Sequence, residues 1–459
     1  MTLFRPSRGP APSSSRVSRA LEGVRASLWV LPAAAAFVTL VLALLLSIAR
    51  PAGPSVWVEL FWPGDASSAV GFLQTVATAT MAAATLTFSL TVVALQLASQ
   101  QFSPRLLREF ARDRVTQSVL AVLVSSFVAA LVGLREVNAD DPLPVLLLVF
   151  VQVLALASTV ALMLFLGHIV RVLRVDTMML AVHAEAVATL GASYPRFEDR
   201  SRDVGPGVPG PAGGSIVGSL RSGFIRTVHW EALVDAARRE DVLIRMGVRP
   251  GDHVTEGSPV LSAWPVGEAT SVDLEALERA ADAAMEFGFE RTIEQDVALG
   301  FRQLTDIAVK AISPGINDPV TAAHAIGYCA DLVRRLQGRR LGPRRYEDTE
   351  GTVRLVAPDR DVRYYLDLVC GPVRRFGRSE PIVLSALLRL LRDAAATARD
   401  ETQREEIRRQ SRLIVDGMSS DLLAADREAV LDLGRRVETA LSGDVDAAYR
   451  DRAGETRSV

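Results

Sequence analysis

Three polar side chains recur at seven-residue spacing before the most unusual stretch of the chain. Asp296, Gln303 and Lys310 fall on one flank of a predicted helix, because seven residues are close to two helical turns and drift by only about 20° each time. Lys310 is the only lysine among 51 basic residues. A carboxylate, an amide and an ammonium group on one flank could bind a charged ligand, or act as an acid and a nucleophile.

The stretch that follows, SPGINDP at 313–319, predicts a turn between two helices. Proline and glycine suit the turn positions. Asp318 is a preferred N-cap residue, and Pro319 then takes the first helical position, where its missing N–H costs nothing. This explanation leaves Asn317 without a necessary role. We therefore predict a ligand-binding site made of five residues: Asp296, Gln303, Lys310, Asn317 and Asp318.

A solvated helix flank is the alternative interpretation of the same residues. Arg302 and Asp306, and Asp306 and Lys310, are spaced i, i+4. Such ion pairs stabilise a helix by about 0.2–0.5 kcal/mol without any ligand. Gly300 lies beside this flank and leaves room for either another backbone or a ligand. The sequence leaves both interpretations open.

Other kinds of chemistry have little support in the sequence. It contains no Walker loop, no HExxH and no GxSxG motif. Its two cysteines, Cys329 and Cys370, do not have the spacing of a metal site or a disulfide framework. The formal net charge of −2 gives no argument for a nucleic-acid partner. We therefore predict no cofactor and no metal, and we assign no catalytic residue.

Four apolar segments are long enough to cross a bilayer, which takes about 20 residues each. They are 28–48, 70–97, 117–134 and 145–170. The first exceeds the core of a cleavable signal and predicts an uncleaved anchor. Arginines precede the first span, separate the second from the third and follow the fourth, whereas the other two loops are acidic. The positive-inside rule then predicts that both termini are cytoplasmic. Arginine in place of lysine is typical of GC-rich coding and therefore indicates a bacterial source.

The second span is unusually rich in threonine. Four polar residues lie within about 40° of one another on one face: Thr78, Thr85, Ser89 and Gln96. Three lie on nearly the opposite face: Thr80, Thr87 and Thr91. One interpretation is a central helix packed on both faces, with hydroxyls bonded to carbonyls one turn back. The other is a stripe that lines a solute path in an oligomer. No charged residue lies in mid-span, so a proton relay has no support.

The chain divides into seven predicted segments. They are a basic cytoplasmic tail at 1–27, a four-helix transmembrane domain at 28–175, a connecting helix and Pro/Gly-rich loop at 176–214, a β module at 215–268, a helical domain with the SPGINDP turn at 269–340, a C-terminal helical region at 341–444, and a disordered tail at 445–459. Within the helical domain, VDLEALERAADAAMEFG at 272–288 predicts one helix.

Pro-Gly-Asp at 250–252 predicts a turn in the β module. The module resembles a barrel-sandwich module of the biotinyl or lipoyl kind, through VRPGDHVTEGSPV at 248–260. Carrier domains of that kind attach their cofactor to a lysine, and this segment has none. We therefore exclude cofactor carriage and predict a spacer or docking surface. The predicted fold class is a membrane α-helical protein with four transmembrane helices, plus a cytoplasmic α+β region that holds this barrel-sandwich-like module and a helical domain.

Several segments together resemble a known family. LTVVALQLASQQFSPRLLREF at 90–110 and QDVALGFRQLTDIAVKAISPGINDPVTA at 295–322 are similar to the bacterial membrane proteins grouped as DUF2254. So are GFIRTVHWEALVDAAR, RPGDHVTEGSPV and RYYLDLV further along the chain. The resemblance implies an integral inner-membrane protein, and it brings no catalytic residue or ligand.

Three functions follow as hypotheses. The first is a channel or transport-type protein for an unknown small ligand or ion, with the second span lining the path and the cytoplasmic part regulating it. Four spans are few for a monomeric carrier, so this hypothesis requires a homo-oligomer in the lipid bilayer. The second is a membrane-anchored sensor or scaffold that binds its ligand at the five predicted residues. The third is a membrane-bound enzyme with Asp296, Asp318 and Lys310 as its reactive groups.

Overall fold

The computed structural model describes residues 29–48, 62–101, 113–138, 142–172, 174–203, 213–266 and 272–450. The chain forms two compact units, Met1–Arg174 and Val175–Val459. The predicted tail at 1–27, most of the Pro/Gly-rich loop and the end of the predicted disordered tail lie outside the described residues. A short helix, Val445–Ala448, falls within the segment predicted to be disordered.

The first unit contains four helices that are long and apolar enough to cross a membrane. They are α1 (Val30–Ile48), α2 (Ala66–Gln101), α3 (Arg114–Glu136) and α4 (Val145–Val172). The four predicted spans are confirmed as candidate membrane helices, because each has the required length and hydropathy. The second begins four residues before the predicted start at residue 70.

Helix α3 is the centre of this unit and packs against the other three spans. Its apolar stretch is 61% buried, against 22–28% for the others. Gly133 lets α3 approach α2 closely, since a Cβ there would lie 2.9 Å from a Leu73 methyl group. The Ser126 hydroxyl lies 2.6 Å from that of Ser158 on α4. Small residues and interhelical hydroxyl contacts are typical of helix packing in membranes.

Asp113 fixes the start of α3. Its carboxylate accepts hydrogen bonds from the backbone N–H groups of Val115 and Thr116, as an N-cap does. It also lies 2.8 Å from Nε2 of His168 near the end of α4. The contact therefore ties the beginning of one span to the end of another.

The second unit combines ten helices with eight strands in the residues that the structure describes. The helices are α5 (Val175–Ser193), α6 (Trp230–Arg239), α7 (Leu274–Ala284), α8 (Val297–Ala311), α9 (Pro319–Gln337), α10 (Val362–Phe376), α11 (Pro381–Ala395), α12 (Glu401–Asp416), α13 (Ala424–Leu441) and α14 (Val445–Ala448). The strands are β1 (Ser215–Gly218), β2 (Gly223–Val228), β3 (Val242–Met246), β4 (His253–Val254), β5 (Pro259–Pro265), β6 (Met285–Gly288), β7 (Arg344–Glu347) and β8 (Val353–Ala357).

The strands form two open sheets. One has the order β1-β5-β3-β8-β7, and the other has the order β4-β2-β6. All pairs are antiparallel except β3 and β8, in which Ile244 faces Leu355. The α+β class is confirmed, but the barrel-sandwich prediction is not, since no sheet closes into a barrel in the described part of the chain.

Long-range pairing explains this difference. The predicted module ended at residue 268, yet β3 pairs with β8 from the C-terminal region and β2 pairs with β6. The predicted helix through residue 288 is wrong at its end, because α7 stops at Ala284 and the next four residues form β6. Pairing with β2 overrides the local helical pattern, as tertiary context commonly does for short strands. Alternation along a strand predicts its two faces but not its partner.

The helical part of the second unit surrounds α8 and α9. Helix α8 packs against α5, α9 and α10, and α9 packs against α11. The largest fully buried side chains here are Tyr365 and Phe301, whose ring centroids are 4.9 Å apart. This packing holds both ends of α8, where the predicted ligand-binding residues lie.

Candidate functional site

The five predicted ligand-binding residues do not share one site. Asp296 is the N-cap residue of α8 and is completely buried, whereas Lys310 is in the last turn of the same helix. Fourteen residues of helix separate the two by about 21 Å. Gln303 is half-buried midway along α8, and Asn317 and Asp318 follow its C-terminal end. Ligand binding at these residues stays a prediction, but Asp296 and Lys310 lie too far apart to contact one small ligand together.

The SPGINDP stretch is the compact turn that the sequence predicts. The backbone N–H of Asn317 donates to Ser313 O at 2.9 Å, and that of Asp318 donates to Ala311 O at 2.8 Å. Asn317 is exposed and has a φ of +51°. This left-handed conformation is uncommon outside glycine, and asparagine is enriched in it. Backbone conformation therefore gives Asn317 a role that the sequence analysis missed.

Asp318 caps α9. Its carboxylate accepts a hydrogen bond of 2.6 Å from the Thr321 hydroxyl and one of 3.0 Å from the Thr321 N–H. These hydrogen bonds, the hydroxyl first, hold the pKa of Asp318 below its ordinary value. Pro319 occupies the first helical position. The predicted cap is therefore present in atomic detail.

Asp318→Ala should lower the free energy of unfolding by about 1 kcal/mol at neutral pH. The folded pKa is depressed, so the contribution of the carboxylate is present above the ordinary pKa of about 3.9 and is lost as the pH falls through the folded value. Denaturant unfolding of the detergent-solubilised full chain at several pH values measures this loss. Asp318→Asn is the control, because asparagine also caps helices but does not titrate. A loss that is unchanged at low pH would contradict this assignment.

Gly300 makes room for another helix. A Cβ at this position would lie 2.6 Å from Cβ of Ala186 on α5 and 3.1 Å from Cδ1 of Ile293. The sequence had left open whether another backbone or a ligand fills this space. Helix α5 occupies it.

Gly300→Ala should destabilise the protein by about 1–3 kcal/mol, because α5 and α8 would have to move apart. Gly327→Ala is the matched control on α9. Its added Cβ meets nothing within 4 Å, so the higher helix propensity of alanine should stabilise the protein by about 0.5–1 kcal/mol. Thermal unfolding of both variants measures the two shifts. Shifts of the same sign would be inconsistent with close packing at Gly300.

Asp296 belongs to a buried ion cluster with two arginines. Its Oδ2 accepts hydrogen bonds from Arg291 Nε at 2.8 Å and from Nη2 at 2.5 Å. Its Oδ1 lies 3.2 Å from Nη1 of Arg360, whose side chain is only 3% exposed. Arg360 also donates to Pro250 O at 3.1 Å, and its guanidinium lies over the ring of Tyr364. The first residue of the flank that was predicted to face a ligand is thus enclosed in a buried network of ion pairs and hydrogen bonds.

The turn at residues 249–252 completes this cluster. Gly251 has a φ of +90°, and its N–H donates to Ile225 O at 2.8 Å. A Cβ at Gly251 would overlap the Asp296 carboxylate. The sequence predicts the turn from Pro-Gly-Asp, but it gives no indication that the turn packs on Asp296. Glycine therefore satisfies both a backbone and a packing requirement here.

The electrostatics of the cluster are those of buried ions. Burial raises the pKa of the Asp296 carboxyl above its ordinary value, although Arg360 and Arg291 both oppose this rise. Burial opposes the charge of Arg360, but Asp296 and the neighbouring tyrosines raise its pKa overall. The arrangement joins three distant segments, because Gly251, Asp296 and Arg360 come from different parts of the chain. We interpret it as a structural cluster.

A second buried polar network adjoins this cluster through the residue next to Arg360. The Tyr194 hydroxyl donates to Oδ1 of Asp359 at 3.0 Å and lies 2.8 Å from the Tyr365 hydroxyl. Nη2 of Arg344 donates to the other carboxylate oxygen at 3.0 Å. Burial raises the pKa of both tyrosines, which keeps them neutral. Asp359 and Arg360 could not be singled out from the sequence, since no local pattern distinguishes a buried charged residue in a loop from an exposed one.

In the described parts of the chain, no three His, Cys, Asp or Glu side chains lie close enough together to hold a metal ion. Burial raises the pKa of each cysteine thiol to about 12. Both cysteines are at most 1% exposed. They are therefore packed core residues and poor nucleophiles.

The two polar faces of α2 have different surroundings. One face is buried, and each of its threonine hydroxyls donates to the carbonyl four residues earlier at 2.7–2.8 Å: Thr80, Thr87 and Thr91. The other is exposed on the surface of the four-helix unit: Thr78, Thr85, Ser89 and Gln96. The stripe predicted to line a path therefore faces away from the other three spans.

The comparison with known proteins decides the family. A sequence model of the family described as "Predicted membrane protein (DUF2254)" matches residues 25–393. This chain belongs to the DUF2254 family. The match confirms the resemblance seen in the sequence, and it includes all four spans, both sheets and the Asp296 cluster of this DUF2254 protein.

Individual relatives support the same assignment. This DUF2254 protein is 30% identical over 421 residues to the uncharacterized protein Rv1290c of Mycobacterium tuberculosis, covering 91% of this chain and 81% of the relative. The uncharacterized protein Mb1321c of Mycobacterium bovis matches with the same identity and coverage. No solved structure gives a significant match to the chain. A function must therefore be inferred from the residues of this DUF2254 protein itself.

Proposed function

We propose that this DUF2254 protein is an oligomeric channel or transport-type protein of the bacterial cytoplasmic membrane. In this proposal α2 lines a path for a small solute or ion, and the second unit regulates that path. Both termini and the second unit lie in the cytoplasm, as the arginine distribution indicates. The exposed polar stripe of α2 is the observation that carries the proposal.

The stripe is costly if it faces lipid. Thr85 can satisfy its donor on its own helix, since its hydroxyl donates to Met81 O at 3.0 Å. Thr78 and Ser89 lie further inside the candidate span than Gln96, which is its last residue. A polar group that faces hydrocarbon without partners costs several kcal/mol. A second copy or a water-filled path would remove that cost.

Apolar residues border the stripe on both sides. At 100° per residue they lie about 60 to 80° from its centre, with Met81 and Phe88 on one side and Leu86 and Val93 on the other. All four are 44–52% exposed. A polar centre with apolar margins suits a ring of copies in which the stripes face a central axis and the margins contact neighbours. A helix that faced only lipid would be apolar throughout.

Cysteine substitution tests this proposal directly, because the two native thiols are buried. In liposomes, Thr85→Cys should react with a small charged methanethiosulfonate at least tenfold faster than Thr87→Cys, which places the same side chain on the packed face. It should also form disulfide-linked dimers on mild oxidation. Leu164→Cys is the control for exposure to lipid, since Leu164 is 62% exposed on α4 and a charged reagent does not enter hydrocarbon.

Solute flux completes the test. Modification of Thr85→Cys should reduce ion flux through proteoliposomes, while the same treatment of Leu164→Cys should leave it unchanged. Equal reaction rates of the Thr85→Cys and Thr87→Cys variants would contradict a water-accessible stripe. Fast reaction with no flux for any ion tried would favour the alternative, a membrane-anchored sensor or scaffold.

A further inference from the structure

The second unit contains a cavity of about 450 Å³ between the ends of α5 and α9. Its walls are strongly basic: they contain five arginines and one glutamate, namely Arg196, Arg334, Arg335, Arg339, Arg399 and Glu198. Val187 and Leu190 of α5 add an apolar side. The volume is within the range of small-molecule sites, which is about 300–1,000 Å³.

The charges of the walls are not balanced within the cavity. Five arginines line the cavity with a single acidic residue, Glu198, whose carboxylate pairs with Arg399 at 2.8 Å. Arg335 pairs with Asp331, outside the walls, at 2.6 Å. Arg339 donates to a neutral acceptor, Tyr194 O, at 3.0 Å. Like charges gathered in a concave surface raise the local potential and attract an anion.

The backbone holds this arrangement in place. Arg196 and Arg339 form an isolated β-bridge between the segments that follow α5 and α9. Beside it, the Phe197 N–H donates to Gly338 O and the Arg340 N–H donates to Pro195 O, both at 3.0 Å. Two walls of the cavity are thus fixed to each other. A pre-organised site loses less entropy when its ligand binds.

Helix capping explains only some of these arginines. Arg334 and Arg335 are in the last turn of α9, where a positive charge interacts favourably with the helix dipole. Arg196 and Arg399 are outside the last turn of any helix, so the dipole does not account for their position. Their convergence with the α9 arginines is the observation that indicates a ligand.

We propose that this cavity binds a small anion with two or more phosphate groups. Guanidinium groups bind phosphate oxygens through paired N–H donors, and several together recognise a di- or triphosphate. The phosphates could come from a soluble compound or from a lipid headgroup, and the same chemistry would bind both. The inference goes beyond the channel proposal and does not depend on whether the membrane unit conducts.

Calorimetry with inorganic tripolyphosphate tests the site on the full chain in phosphatidylcholine nanodiscs. We expect saturable binding by the wild type and at least tenfold weaker binding by the double variant Arg196→Gln/Arg334→Gln. The matched control is Arg279→Gln/Arg363→Gln, which removes the same charge from arginines that are 67% and 60% exposed and lie outside the cavity walls. Its affinity should stay within twofold of the wild type.

Two results would overturn the proposal. One is an absence of binding by the wild type, and the other is an equal loss of affinity in the two double variants, which would indicate only a general charge effect. The melting temperature of each variant checks that it is folded. Arg196 and Arg334 are exposed, so their replacement should not unfold the chain.

Nanodiscs that contain cardiolipin, a lipid with two phosphate groups, identify the source of the phosphate. If a headgroup occupies the cavity, tripolyphosphate should bind the wild type at least tenfold more weakly in these discs than in neutral ones, with a smaller change for the cavity variant. If a free anion is the ligand, the wild-type affinity should change no more than that of the variant. Both results support the site, and each assigns one source.

Discussion

Asp296→Ala should lower the free energy of unfolding of this DUF2254 protein by about 3–5 kcal/mol. The substitution removes the acceptor of both Arg291 hydrogen bonds and the carboxylate beside Arg360. Arg360 is 3% exposed and would keep its charge in a buried position with only the more distant carboxylate of Asp252, at 3.8 Å, as an ionic partner. Breaking a buried pair from one side is among the most destabilising single changes, because the remaining charge stays desolvated.

Denaturant unfolding of the full chain in detergent measures this loss, and two further variants identify its cause. Asp296→Asn should lose less than Asp296→Ala, since its amide oxygen keeps a hydrogen-bond acceptor beside Arg291. Asp296→Ala/Arg360→Met should recover part of the stability, because it removes the buried guanidinium as well. A loss below about 1 kcal/mol in Asp296→Ala would show that the cluster is not structural.

Gly251→Ala should destabilise the protein by about 2–5 kcal/mol through two separate effects. Its φ of +90° strains any side chain by about 1–2 kcal/mol. The added Cβ would also overlap the Asp296 carboxylate and lie 3.1 Å from Arg360 Nη2, and overpacking of this kind costs about 1–3 kcal/mol. The Asp296 carboxylate and the Arg360 guanidinium are already hydrogen-bonded or paired, so neither group can move away easily.

Gly257→Ala separates the two effects. Gly257 lies in the same part of the chain with a φ of +79°, and a Cβ there meets nothing within 4 Å. It should therefore lose only the strain, about 1–2 kcal/mol. The difference between the two variants gives the cost of the overlap, measured by the same unfolding experiment. Equal losses would mean that the turn does not press against Asp296.

The features that could be predicted from the sequence are those that local chemistry determines. Membrane spans follow from apolar length, and the cap formed by Asp318 and Pro319 follows from the needs of a helix start. The turn at residues 249–252 follows from Pro-Gly-Asp. In each case the residues that decide the structure are neighbours in the chain, so a short stretch of sequence contains the whole cause.

The features that could not be predicted depend on distant partners. The sequence cannot show whether Asp296 binds a ligand or pairs with Arg360, because only the fold brings Arg360 close to it. Asn317 needs no ligand, because its left-handed backbone explains the choice of asparagine. The pairing of β3 with β8 joins residues more than a hundred positions apart. Alternating hydrophobicity predicts such strands but contains no information on which ones pair.

The order of strands in the larger sheet limits how this protein can be divided for experiments. Strand β3 is central because β8, which follows α9, completes its second edge. A fragment that ends before Val353 would leave that edge with unpaired N–H and C=O groups, which is a template for aggregation. We therefore expect expression of the second unit alone to require the chain from Val175 through at least Leu441, where the last helix packed on α11 ends. Shorter pieces should be insoluble even where their own helices are intact.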